Sequence, residues 1–86
     1  MTDPIQSRLE QIFRAVFELP PDAPVANIRQ INFRKWDSLG HVLLMSAVES
    51  EFGLEINIAA SAKLTSFESV ELYLTENARD RSAVHG

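Results

Sequence analysis

The sequence predicts an all-α domain: a small bundle of three principal helices and one short helix, with a long first loop. Three observations carry that expectation. Apolar residues recur at threes and fours in three separate windows, residues that stop helices close those windows, and the one alternating stretch has no second strand to pair with. Three amphipathic faces of this size bury one another most readily as a bundle. With 86 residues a second core would leave each too little apolar surface, so residues 1–86 read as one domain, with its core over about 4–78.

The first helix is expected from about residue 4 to 18. Asp3 is placed to cap it, and Pro4 sits at the first helical position, where a missing N–H is harmless. Ile5, Leu9, Ile12, Phe13, Val16 and Phe17 form one stripe, and Leu19-Pro20-Pro21 ends it, because a residue before proline is pushed out of the α region. Residues 20–36 hold three of the four prolines and no sustained period, yet carry Val25, Ile28, Ile31, Phe33 and Trp36. They read as a long loop that packs against the core.

The second helix is expected over about 38–52, with Leu39, Val42, Leu43, Met45 or Ser46, and Phe52 in its apolar pattern and Gly53 as a left-handed stop. Leu54, Ile56 and Ile58 alternate, but a lone strand is not stable, so they read as a connector into a short helix near Ala59–Ala62. Thr65-Ser66-Phe67-Glu68 matches a capping box with Thr65 bonding forward and Glu68 back. The last helix then runs over about 66–78 on Phe67, Val70 and Tyr73 or Leu74, and residues 79–86 read as a flexible tail.

Hydrophobic residues make up 45% and charged residues 23%, too apolar for a disordered chain. There is no cysteine, so neither disulfides nor a thiolate zinc site contributes, which fits the cytoplasm. The N-terminus has no basic region leading into an apolar run, and no segment approaches the roughly 18 apolar residues of a membrane span, so neither secretion nor membrane insertion is expected. Residues 1–37 balance five acids with five bases, whereas residues 38–76 set six acids against Lys63 alone. Such an acidic half repels phosphate backbones and argues against nucleic acid as a partner.

The chemistry concentrates in Trp36-Asp37-Ser38-Leu39-Gly40-His41. A serine nucleophile needs a base in reach and a third group to orient it. His41, three residues on, is a candidate base, but the second histidine, His85, is remote and so small a bundle has little room to enclose a substrate. The plainer reading makes Asp37 a helix cap and leaves Ser38 and His41 without a special role. Two histidines with scattered carboxylates give no metal-ligand spacing.

Asp37-Ser38-Leu39, the helix after it, Glu49-Ser50-Glu51-Phe52-Gly53-Leu54-Glu55-Ile56 and Lys63-Leu64-Thr65-Ser66-Phe67 together resemble the acyl carrier protein family over roughly residues 5–76. The resemblance implies an acyl-carrier-like four-helix bundle with no catalytic activity of its own. It implies that Ser38 receives 4′-phosphopantetheine from coenzyme A, through a magnesium-dependent phosphopantetheinyl transferase, and that Asp37 belongs to the string the transferase reads. Leu39 is expected to pack inward and fix the direction of the serine. The arm would supply the thiol that the chain lacks, and acyl groups would travel on it as thioesters. A phosphodiester on the first helical turn would also sit where free N–H groups and the helix dipole favour an anion.

The second helix and the loop before it are then the expected docking surface, with Trp36, His41, Val42, Leu43 and Glu49 as candidate contacts; for Trp36, packing as a loop anchor is the competing role. Expected partners besides the transferase are ligase, ketosynthase or acyltransferase enzymes that load and process the acyl group, met by a monomer. The sequence departs from fatty-acid-synthesis carriers at Gly40, His41 and Leu43, where those have acids, and adds Arg34 and Lys35 upstream. That departure favours a specialised polyketide-like pathway over housekeeping fatty-acid synthesis. A peptidyl or aminoacyl carrier, an unmodified helical interaction module and a small serine hydrolase using His41 stand as alternatives.

Overall fold

In the computed structural model, which describes residues 4–85 with side chains through Asn77, the chain forms α1 (Pro4–Val16), α2 (Ser38–Phe52), α3 (Ile58–Lys63) and α4 (Phe67–His85). A single 3-10 turn, Gln30–Asn32, lies in the first loop, and no strand forms among the described residues. The domain is thus a small helical bundle. Asp3, expected to cap α1, lies outside the described residues.

The α1 stripe is buried as its spacing requires: Leu9, Ile12, Phe13 and the following Phe17 are in the core, with Ile5 and Val16 packed at its edge. The helix ends two residues earlier than expected. Glu18 turns left-handed at φ 54°, and the Leu19 N–H reaches back to the Arg14 carbonyl at 2.9 Å, closing the end before the prolines are reached. Lys35 Nζ donates to the Phe17 carbonyl at 2.9 Å, so a loop side chain covers a carbonyl that the ended helix leaves free.

α1 packs against both α2 and α4. Leu44, Met45 and Val48 of α2 and Phe67, Val70 and Leu74 of α4 close over Phe13, whose ring meets Phe67 edge-on at 5.0 Å and Trp36 at 5.3 Å. Each such side chain contributes about 1.5–3 kcal/mol by leaving water. No polar or charged residue is buried among those described, so the interior is an apolar aromatic cluster.

The long loop packs as expected through Val25 and Trp36, while Ile31 stands 91% exposed. It is pinned to the start of α4: Gln30 N–H donates to the Thr65 carbonyl and Phe67 N–H to the Ile28 carbonyl, both at 2.9 Å, making an isolated antiparallel bridge between Arg29 and Ser66. That pairing shifts the capping box by one residue from the expected Thr65–Glu68. Ser66 is the cap, its Oγ accepting from Ser69 N–H at 3.0 Å, and Ser69 Oγ accepts in return from Ser66 N–H at 3.1 Å. The Ser66 carbonyl accepts the first helical bond, from Val70 N–H at 3.1 Å, whereas the Thr65 carbonyl is turned to Gln30 N–H. At the far end α4 runs on to His85, beyond the expected stop near 78, because no glycine or proline interrupts 67–85.

Candidate functional site

Asp37 caps α2. Its extended backbone (φ −92°, ψ −168°) aims the carboxylate along the helix start, where Oδ1 accepts from Gly40 N–H at 2.8 Å, while its carbonyl accepts from His41 N–H at 2.8 Å. Asp37→Ala removes that acceptor and should lower stability by about 1 kcal/mol, read as a shift in the urea midpoint at unchanged slope.

Ser38 is the first residue of the helix. It is exposed, and its hydroxyl has no partner among the described residues. Around it the exposed surface of α2 is apolar and uncharged: Leu39, Val42 and Leu43 are 68%, 63% and 51% exposed, and no charged residue occurs from Ser38 to Val48.

Leu39 therefore does not pack inward. The buried face of α2 is Gly40, Leu44, Met45 and Val48, which places Leu39 on the outer side of the helix. Sequence reasoning misses this face because α2 is apolar nearly all round, and the residue that opens the buried row is a glycine.

Trp36 packs as a loop anchor: it is 1% exposed, set against Phe13 and Phe17. His41 is likewise turned inward. Trp36 Nε1–H donates to His41 Nδ1 at 2.9 Å, the two rings stack 6.1 Å apart at 20°, and His41 Nε2 meets the Ser61 carbonyl at 2.9 Å and Ser61 Oγ at 3.0 Å. An indole N–H only donates, so Nδ1 accepts and the proton sits on Nε2, which donates to Ser61. His41 thus presents no lone pair to Ser61, and neither nitrogen is paired with Ser38. The arrangement works as a bridge from the loop through α2 to α3, and it lacks the geometry of a serine with its base.

Glu49 is also spent on structure. Its carboxylate accepts from Ile56 N–H at 2.8 Å, and its carbonyl accepts from Leu54 N–H at 3.2 Å, fixing the turn after α2. Of the residues singled out from the sequence, the first turns of α2 bring Ser38, Leu39, Val42 and Leu43 together on the surface with Asp37 at their head, while Trp36, His41 and Glu49 hold the scaffold. Ser61 is the participant that sequence reasoning does not find; it lies 20 residues from His41, and no local pattern links them.

Among the described residues no cluster of three or more metal-ligating side chains forms, and no helix is long and apolar enough to cross a membrane. Comparison with protein-family models gives no match, and comparison with curated proteins gives none either.

Proposed function

We propose that the chain is an acyl-carrier-like domain whose Ser38 bears a 4′-phosphopantetheine arm, carrying acyl intermediates between enzymes of a specialised pathway. The observation that carries this reading is the setting of Ser38: an exposed hydroxyl with no hydrogen-bond partner, on the first turn of a capped helix. An attached phosphodiester needs that clearance, and it would sit beside N–H groups that a helix start leaves without intrahelical partners. When bound, the arm supplies a terminal thiol on a flexible tether, the group that a cysteine-free chain does not have.

The chain's own residues would divide the remaining work. Asp37 holds the helix start in place beneath Ser38. Leu39, Val42 and Leu43 offer an enzyme an uncharged apolar contact of the kind that marks an interaction site. This supports partners other than those that read an acidic helix, and with them a polyketide-like, peptidyl or aminoacyl pathway.

The test is to incubate the protein with coenzyme A, magnesium and a broad-specificity phosphopantetheinyl transferase and to record intact mass. A single phosphopantetheine increment is expected, absent in Ser38→Ala although that variant folds. Loading that changes little as salt is raised agrees with an uncharged docking face. A folded protein that gains no mass excludes the carrier reading and leaves the unmodified interaction module.

A further inference from the structure

α3 differs from the other helices in how it is held. It has six residues, well below the roughly 12–15 at which an isolated helix becomes even marginally stable, and none of its side chains is buried. Ile58 at its start is 89% exposed. Apolar anchors stand just outside it, Ile56 packed at the edge of the core and Leu64 within it, 4% exposed.

Between those anchors the hydrogen bonds of residues 57–63 among the described residues are local, Asn57 capping Ala60 N–H at 2.7 Å and accepting from Ser61 N–H at 2.9 Å, with one exception. His41 Nε2 holds the Ser61 carbonyl and hydroxyl, and His41 is itself fixed from behind by Trp36 Nε1–H.

We propose that α3 is a strap suspended between Ile56 and Leu64 and fastened to α2 by a single catch, His41, so that it opens as a unit while the α1–α2–α4 core stays folded. Little apolar surface leaves contact when it opens, so the opening is governed by the catch and by the short helix itself. The order of the catch follows from its chemistry. Trp36 Nε1–H sets the imidazole tautomer, that tautomer puts a proton on Nε2, and the proton engages a carbonyl that only accepts. Release leaves His41 Nε2 without its Ser61 partner, one helical turn from Ser38, while Trp36 still holds Nδ1. The strap is a property of the fold and stands whether or not Ser38 is modified.

Native-state hydrogen exchange of the full chain across a low-urea series tests it. Amides 61–64 are expected to exchange through an opening almost independent of urea, ahead of the amides of α1. Ile12→Val, which weakens the core, should speed exchange in α1 and leave 61–64 unchanged. His41→Ala should speed 61–64 by about tenfold, the effect of losing one such bond. His41→Gln, which keeps an acceptor and a donor, provides the comparison if the alanine variant does not fold, and should speed these amides less than tenfold. The proposal is overturned if 61–64 exchange only with α1 at every urea concentration, or if Ile12→Val speeds both groups alike.

Discussion

Gly40→Ala is expected to destabilise the domain by about 2 kcal/mol, against the usual direction of a glycine-to-alanine change inside a helix. In an unobstructed helix alanine would gain about 1 kcal/mol by restricting the unfolded chain and favouring helical backbone. At position 40 a Cβ would lie 2.5 Å from the Lys35 carbonyl oxygen, 3.1 Å from Phe17 Cε1 and 3.2 Å from Asp37 Oδ1.

The first of these contacts decides the sign. It is with backbone, so no rotamer change relieves it, and the start of α2 must lift off the loop. Lifting it stretches the Asp37–Gly40 cap and loosens the packing of Phe17, so three supports of the helix start weaken together. For a domain of this size the melting temperature should fall by about 8–16 °C, measured by far-UV circular dichroism. Gly53→Ala makes a useful contrast. Its Cβ would meet nothing within 4 Å, and the only penalty is the left-handed backbone at φ 62°, about 1 kcal/mol. A Gly40→Ala protein as stable as the parent would show that the helix start accommodates a methyl group and that glycine is not required there.

These two glycines show why some of the fold was legible and some was not. Both ends of α2 are written in local chemistry, Asp37 as cap and Gly53 as left-handed stop, and a reading of neighbours along the chain finds them. The stripes of α1 and α4 are similarly local, because polar residues flank them and leave one apolar face. Along α2 no such contrast exists between Ser38 and Val48, so spacing alone could not tell that Gly40 faces inward and Leu39 outward. The remaining differences are long-range. The cap of α4 moved from Thr65 to Ser66 because residues 28–30 pair with 65–67, and His41 found its partner in α3. Contacts formed by folding leave no periodic trace, whatever the quality of the local pattern. The same holds for the candidate site: Asp37 and Ser38 were legible as neighbours, whereas the structural duties of Trp36, His41 and Glu49 depend on what the fold brings to them.

Trp36 shows how large such a duty is, and Trp36→Ala is expected to leave the domain largely unfolded at ordinary temperature. Truncating a buried aromatic residue costs about 3–5 kcal/mol in lost transfer energy and unfilled cavity. A chain of this length has only about 4–13 kcal/mol of stability in all. Two further losses come with it here. The indole touches both Phe13 and Phe17, so the cavity opens at the centre of the aromatic cluster, and His41 Nδ1 loses the donor that Trp36 supplies.

Trp36→Phe separates these contributions. It keeps most of the apolar volume and removes the indole N–H, so a loss of about 1–3 kcal/mol is expected, the range for leaving a polar group unpaired. Pairing it with His41→Ala in a double-mutant cycle isolates the bond itself: the combined loss should fall short of the sum by about 1 kcal/mol, because either change alone already breaks it. Urea denaturation followed by circular dichroism measures all four proteins. Strict additivity would mean that the indole stabilises the domain by packing alone, and that the hydrogen bond to His41 carries no net energy.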